Sequence, residues 1–205
     1  MKAFLQHMIK ERLNTIVENS YLNYGIKGLH CIDILSGTDY GVKLYFTETN
    51  HDMQNNLPQQ YHNGITLPFS QYNRNIKIQM LKGSIILWQA KRNDFNCSLL
   101  TNEYFSHYDN GVHEYTLVKE HVGLETASVC QLSNNQVFNI KANDLYTIGC
   151  GFGTSNAWLI FEGRSTSEPS YNVYTNADIK SMPYLYLRPD KNEVLAILDK
   201  IGILK

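Results

Sequence analysis

Between residues 29 and 188 the chain is a succession of short segments with period two, and this feature constrains the fold most. In GVKLYFTET the apolar Val42, Leu44 and Phe46 alternate with Lys43, Tyr45 and Thr47, and IKIQML alternates in the same way. Further strand candidates are SIILW, CSLL, HEYTLVKEH, ASVCQL, VFNI, LYTI, AWLIFEG and YNVY. Because no helical pattern separates them, the sequence predicts an antiparallel sandwich or barrel.

A helical period occupies the two ends of the chain. Apolar residues recur at three- and four-residue spacing within residues 1–24: Leu5, Met8, Ile9, Leu13, Ile16 and Val17. A second helix is predicted over 190–202, with Asp190 or Asn192 as its N-cap. The expected organisation is one domain, 1–205, in which a β-barrel at 29–188 lies between two terminal helices.

Charge and composition argue against several classes of partner. The formal net charge is −1, and no run of Lys or Arg exceeds two residues, so we expect binding neither to nucleic acid nor to a membrane surface. No window resembles a signal peptide or approaches the roughly 18 apolar residues of a membrane span, which predicts a cytoplasmic protein. The four cysteines form no CxxC pair and are expected to be reduced and mostly buried.

The segment GITLPFSQYNRNIKIQMLKG has a glycine at each end, Gly64 and Gly83. Their spacing resembles the first motif of the cupins, which reads Gly, five residues, His-x-His, three or four residues, Glu, six residues, Gly. In that register Ser70 and Tyr72 stand at the two histidines and Ile76 at the glutamate. The alternation supports the register, because a slip of one residue would turn lysine and glutamine into the barrel.

A second segment, NQVFNIKANDLYTIGC, is similar to the second cupin motif. Asn135 and Asn143 stand at its two glycines, Lys141 at its proline, Tyr146 at its histidine and Cys150 at its asparagine. Asparagine tolerates the left-handed backbone conformation better than most residues, so both turns are expected to survive the replacement of glycine.

The resemblance implies a mainly β fold, a double-stranded β-helix or jelly-roll barrel with N-terminal and C-terminal α-helices, and a homodimer. In cupins the motif histidines and glutamate bind one divalent metal, commonly iron, manganese, nickel or zinc. The corresponding residues here are Ser70, Tyr72, Ile76 and Tyr146. Tyrosine alone among them could be a ligand, and its hydroxyl loses a proton only near pH 10. We therefore expect the metal site to be degenerate and predict no cofactor.

The retained scaffold and the abundant aromatic residues predict a protein that binds a small organic molecule in an aromatic and apolar barrel cavity. The residues expected to line that cavity are Ser70, Tyr72, Ile76, Ile78, Trp88, Tyr146 and Trp158. For Trp88 and Trp158, packing in the core is an equally good interpretation.

Two alternatives stay open. A rearranged metal site built from His62, Tyr146, His107 and His113 would imply, by resemblance, a cupin-type dioxygenase or isomerase. The hairpin signal YDNG, however, puts His107 and His113 on opposing strands near an exposed tip, where solvated histidines are expected. The other alternative is a structural or assembly protein, in which the long 84–134 segment extends a sheet across a dimer.

Overall fold

Two antiparallel sheets face each other, and two helices cover the outer face of one sheet. A computed structural model describes residues 2–24, 28–37, 39–48, 64–66, 69–109, 112–151, 155–164, 171–175 and 187–204. The strands are β1 (Leu29–Leu35), β2 (Gly41–Thr47), β3 (Gly64–Thr66), β4 (Phe69–Tyr72), β5 (Ile76–Lys82), β6 (Ser84–Arg92), β7 (Leu99–Asp109), β8 (Val112–Ser133), β9 (Val137–Ile140), β10 (Leu145–Gly151), β11 (Asn156–Glu162) and β12 (Tyr171–Thr175). The helices are α1 (Lys2–Asn19) and α2 (Lys191–Lys200).

The order of strands is that of a jelly roll. One sheet has the order β1-β2-β11-β5-β9. In the other, β10 pairs on one side with β3 and β4 and on the other side with β6, which in turn pairs with β8. Consecutive strands β4 and β5, and likewise β9 and β10, therefore lie in opposite sheets, as in a double-sheet jelly roll. The predicted mainly β, cupin-like barrel with a helix near each end is confirmed.

An additional ribbon extends the second sheet. Strands β6 and β7 pair one after the other with the 22-residue strand β8, and β12 joins β7 to β4. The segments HEYTLVKEH and ASVCQL thus form one strand rather than the two predicted. Asp109 pairs with Val112, so β7 and β8 form the antiparallel pair that YDNG predicts, with residues 110–111 outside the described ranges.

Left-handed backbone conformations occur at three of the motif positions. The φ angle is +75° at Gly83, +65° at Asn135 and +68° at Asn143. The N–H of Asn135 donates to the carbonyl of Met80 at 3.1 Å, and that of Asn143 to the carbonyl of Tyr72 at 2.7 Å. The prediction that asparagine would preserve these turns is confirmed.

The barrel core lies between the two sheets. Ile76, Ile78 and Met80 of β5 are all buried there, whereas Lys77 is exposed on the opposite face. The register predicted for this strand from its alternation is therefore correct.

A second core lies between the helices and the outer face of β1, β2 and β11, and it includes Ile32, Leu44 and Leu159. Helix α1 is shorter than the predicted 1–24. It ends where the hydroxyl of Ser20 donates to the carbonyl of Ile16, and Tyr21 then forms a β-bridge. Helix α2 begins after the N-cap Asp190. Within the described ranges, neither helix is long and apolar enough to cross a membrane.

His30 belongs to this second core without a polar partner. Its side chain is buried and stacks on Phe46 with ring centroids 6.0 Å apart, and within the described part of the chain neither ring nitrogen has a hydrogen-bond partner. Burial lowers the pKa of His30 below 6.5, although the nearby Glu48 carboxylate opposes that shift. Lys200 of α2 adds to the lowering and is itself paired with Glu48 at 2.7 Å. The folded protein therefore favours the neutral imidazole.

This burial predicts that acid destabilises the protein through His30. The unfolded chain binds the proton more tightly, so the contribution of His30 is fully present above its unfolded pKa of 6.5 and is lost as pH falls through the lowered folded pKa. Each unit of lowering is equivalent to about 1.4 kcal/mol. Urea unfolding between pH 8 and pH 5 measures the slope. His30→Leu should flatten it, whereas His7→Leu, on the exposed face of α1, should leave it unchanged; an unchanged slope in the first variant contradicts the assignment.

Candidate ligand-binding site in the barrel

A stack of aromatic rings occupies the barrel where β2 and β11 pair. Tyr45 lies opposite Trp158 in the ladder, and their rings are nearly parallel, 8° apart with centroids separated by 5.6 Å. Tyr24 meets Tyr45 edge-on at 5.8 Å. These contacts suit a flat or apolar guest, because aromatic faces contribute large contact area with defined geometry.

The indole N–H of Trp158 is a buried donor without an acceptor. The side chain is completely buried, and among the described residues none accepts a hydrogen bond from Nε1. Leaving such a donor unpaired costs about 1–3 kcal/mol. A hydrogen-bond acceptor carried into the barrel by a guest molecule would remove that cost.

Tyr72 and Tyr146 occupy the positions at which cupins carry metal-binding histidines. Their ring centroids are 6.1 Å apart, and Tyr146 lies opposite Ser70 in the ladder between β10 and β4. Burial raises the pKa of Tyr72 well above 10, and the nearby Tyr146 and Glu162 raise it further. The hydroxyl of Tyr72 is therefore neutral at physiological pH and lacks the charge of a phenolate ligand.

At the same end of the barrel, three charged side chains form what we call the Arg74 cluster: Lys43, Arg74 and Glu162. Oε1 of Glu162 is 2.8 Å from Nζ of Lys43, and Oε2 is 2.9 Å from Nη1 of Arg74. Arg74 lies in the turn between β4 and β5 and is only 6% exposed. Lys43 is two residues from Tyr45, and Glu162 is two residues from the barrel residue Ile160, so both point toward the barrel.

Two further groups border the Arg74 cluster. Asp33 lies opposite Lys43 in the ladder; burial raises its pKa, which a hydrogen bond from Ser36 partly offsets. Within the described chain, Oδ1 of Asp33 is buried and has no hydrogen-bond partner. Cys31 is also buried, and burial raises the pKa of its thiol to about 12. A thiol with that pKa is a poor nucleophile at neutral pH.

The structure brings most of the residues predicted to line the cavity into one place. Tyr72, Tyr146 and Trp158 contact the barrel core, which also contains Ile76 and Ile78; Ser70 lies on the same face of β4 as Tyr72. Trp88 is separate from them. It packs against a third cluster, with Phe69 and Leu124, on the other face of the second sheet.

Sequence reasoning missed the Arg74 cluster. In β2 the apolar Val42, Leu44 and Phe46 face the helices, so the polar positions of the alternation face the barrel instead of solvent. The alternation of polar and apolar residues in β2 persists although both faces of its sheet are buried. In the sequence, only the two amphipathic helices indicate that one face of a sheet is covered. No pattern identified Arg74, which follows β4 in a turn.

Of the alternative metal-binding residues, the structure describes Tyr146 and the backbone of His107 and His113. His62 lies outside the described residues. The backbones of His107 and His113 belong to the outer part of the β7–β8 hairpin, where His107 lies opposite Glu114 in the ladder, whereas Tyr146 lies in β10. The described ranges contain no group of three or more His, Cys, Asp or Glu side chains placed to hold a metal ion.

Comparisons with known proteins find similarity among solved structures. No family model and no curated protein matches the sequence. A cupin superfamily protein from Desulfitobacterium hafniense is 9% identical, with 67% of this chain and 78% of that chain covered at a TM-score of 0.36. A conserved Klebsiella pneumoniae protein with a double-stranded β-helix domain is 9% identical, with 77% and 92% covered at a TM-score of 0.38.

A third solved structure is an enzyme. Hydroquinone 1,2-dioxygenase from a Sphingomonas species, with 4-hydroxybenzoate bound, is 9% identical, with 66% of each chain covered at a TM-score of 0.39. The class of this protein is defined by its own sheet order: it is a cupin-like jelly-roll barrel, as the spacing of its glycines and asparagines predicts.

Proposed function

We propose that this protein binds a small organic molecule inside the barrel, without a metal ion at the usual cupin position. The observation that carries the proposal is the buried indole N–H of Trp158, which lies beside the ring of Tyr45 and has no hydrogen-bond partner among the described residues. An aromatic wall with a small number of polar groups is the ordinary composition of a small-molecule site. The ligand would stack on these rings and accept the hydrogen bond from Trp158.

Trp158 itself reports on the binding. The chain has two tryptophans, so Trp88→Phe leaves Trp158 as the only one. Titrating this variant with benzoate, benzamide, hexanoate and hexanamide should change its emission and raise the unfolding temperature, because a ligand that binds the folded state stabilises it. If none of the four compounds does either at millimolar concentration, the proposal is wrong.

A second variant tests the hydrogen bond. Trp158→Phe keeps an aromatic ring and removes the N–H, and it should weaken benzamide binding about fivefold or more in calorimetry, as expected for one lost hydrogen bond of about 1 kcal/mol. Trp88→Phe is the matched control, since Trp88 packs in a different cluster, and its affinity should equal that of the unaltered protein.

The proposal that no metal ion is bound at the usual cupin position is tested separately. It is supported by the chemistry of Ser70, Tyr72, Ile76 and Tyr146, among which Ile76 has no lone pair and Tyr72 is held neutral. Elemental analysis of the purified protein should find no stoichiometric iron, manganese, nickel or zinc. One equivalent of such a metal that is lost with Tyr146→Phe would favour the dioxygenase or isomerase alternative instead.

We also propose that the protein forms a homodimer through the outer edge of β8. In the described structure β8 lies between β7 and β6, and its second half, from Leu124 onward, pairs with β6 along one edge only. Residues 126–133 contain no charged residue and no proline, the features that usually protect an edge strand, and Val129 is 55% exposed. The same edge on a second copy supplies a complementary row of backbone donors and acceptors, antiparallel about a two-fold axis.

The molecular mass of the protein in solution tests this interface. Val129→Lys should shift the protein from dimer to monomer in light scattering at micromolar concentration, because a lysine on the edge opposes pairing. Val118→Lys, at a comparably exposed position in the first half of β8, should remain dimeric. A monomeric unaltered protein would contradict the homodimer.

A further inference from the structure

We propose that the molecule bound in the barrel is a small organic acid whose carboxylate is held by Arg74 and Lys43. This inference rests on the proposed barrel site and names the chemical class of its ligand. The anion would lie at the end of the barrel formed by the β4–β5 turn, and its apolar or aromatic body would extend toward Tyr72, Tyr146 and Trp158.

Arg74 has unused hydrogen-bonding capacity. A guanidinium carries five N–H donors, and within the described ranges its sole polar partner is the Glu162 carboxylate, which contacts Nη1 at 2.9 Å. The residue is nevertheless more than nine-tenths buried. A planar carboxylate matches the fork of the guanidinium in a bidentate geometry.

Lys43 makes the cluster electrostatically suited to an anion. Both oxygens of Glu162 are engaged, one by Lys43 at 2.8 Å and the other by Arg74. Two cations therefore share a single carboxylate, and the cluster carries a surplus positive charge. The Lys43 ammonium has three donors, of which the described residues use one. A ligand carboxylate between Lys43 and Arg74 would balance the charge and accept from both.

The groups around the cluster are consistent with this charge. Tyr45 and Tyr72 face it from inside the barrel and are neutral, and burial keeps the Cys31 thiol protonated, with a pKa of about 12. Among the described residues, Asp33 is the further acid that faces Lys43, and burial raises its pKa and thereby favours its neutral form. Asp33 in its charged form would compete with the ligand for Lys43. The inference therefore predicts that removing its charge strengthens binding.

Matched acids and amides separate charge from shape. Benzoate and benzamide have nearly the same size, as do hexanoate and hexanamide, so the ratio of affinities within each pair isolates the carboxylate. In calorimetry of the full chain at low salt, each acid should bind at least about tenfold more tightly than its amide, since hydrogen bonds to charged groups are the stronger kind. Equal affinities within both pairs would overturn the inference while leaving the barrel site intact; binding of none of the four compounds would overturn both.

Substitutions test which side chains are responsible for the tighter binding of acids than of amides. Lys43→Met should reduce the ratio of acid to amide affinity at least about fivefold with little effect on amide binding, and Asp33→Asn should increase the ratio. Lys77→Met is the matched control, because Lys77 is exposed on the outward face of β5 at the same end of the barrel, and its ratio should be unchanged. Arg74→Lys keeps the charge and the pair with Glu162 but loses the fork, and it should give an intermediate ratio. A ratio that is the same in all four variants would contradict the assignment, with circular dichroism establishing that each is folded.

Discussion

Gly83→Ala is expected to lower the free energy of unfolding by about 3 kcal/mol, from backbone strain at positive φ and the loss of a partly buried hydrogen bond. Gly83 has φ +75°, and a Cβ there would lie 2.8 Å from the carbonyl oxygen of Ser155 and still closer to Oδ1 of Asn156. That oxygen accepts from the N–H of Ser84 at 3.0 Å, while the Asn156 backbone N–H donates to Oγ1 of Thr47 at 3.1 Å. The methyl group would displace Asn156 from a position where it connects three strands.

Gly202→Ala is the matched control for this substitution. Gly202 has almost the same φ, +76°, but among the described residues none besides its two chain neighbours has an atom within 4 Å of the position its Cβ would occupy. It should therefore show only the cost of the left-handed conformation, about 1–2 kcal/mol. Urea denaturation of both variants gives the difference. Equal destabilisation would mean that Gly83 is required for its backbone angle alone.

The turns were the part of the fold that the sequence predicts best. A left-handed position favours glycine and, at small cost, asparagine, so Gly83, Asn135 and Asn143 identify the turns even where the cupin ligands are replaced. The alternation in β5 then sets which side chains enter the barrel. Both signals are local, and both survive changes elsewhere in the chain.

The candidate site was only partly predictable, because it depends on which elements cover each sheet. Tyr72 and Tyr146 were found because their positions follow from the motif register, and Trp158 because it is an aromatic residue in a predicted strand. Lys43 and Glu162 are brought together by the pairing of β2 with β11, strands more than a hundred residues apart, and no local pattern reports that pairing. The polar alternation of β2 by itself would be typical of a strand with one face in water.

The β7–β8 ribbon and β12 were predicted as strands, but their attachment to the barrel was not. The attachment depends on a buried polar network centred on Glu103, a residue of β7 that is 3% exposed. Its Oε1 accepts from Arg92 of β6, from Nδ2 of Asn172 at 2.6 Å and from the hydroxyl of Tyr174 at 3.0 Å. In the second sheet the strands β10, β4, β12, β7, β8 and β6 form a closed ring, because β6 pairs back with β10. The network therefore connects β6, β7 and β12 inside this ring.

Glu103→Leu is expected to destabilise the protein by about 3 kcal/mol, since it leaves buried donors of Asn172 and Tyr174 without their charged acceptor. Glu125→Leu is the control on the adjacent β8. Its carboxylate accepts from Nδ2 of Asn93 at 2.8 Å and pairs with the exposed Lys91 at 3.3 Å, at the surface, where solvent screens the ion pair. Thermal unfolding followed by far-ultraviolet and near-ultraviolet circular dichroism should show one shared transition at a lower temperature for Glu103→Leu. A separate early transition would instead mean that the ribbon unfolds independently of the barrel. In that case the network stabilises only the ribbon, and the jelly roll is stable without it.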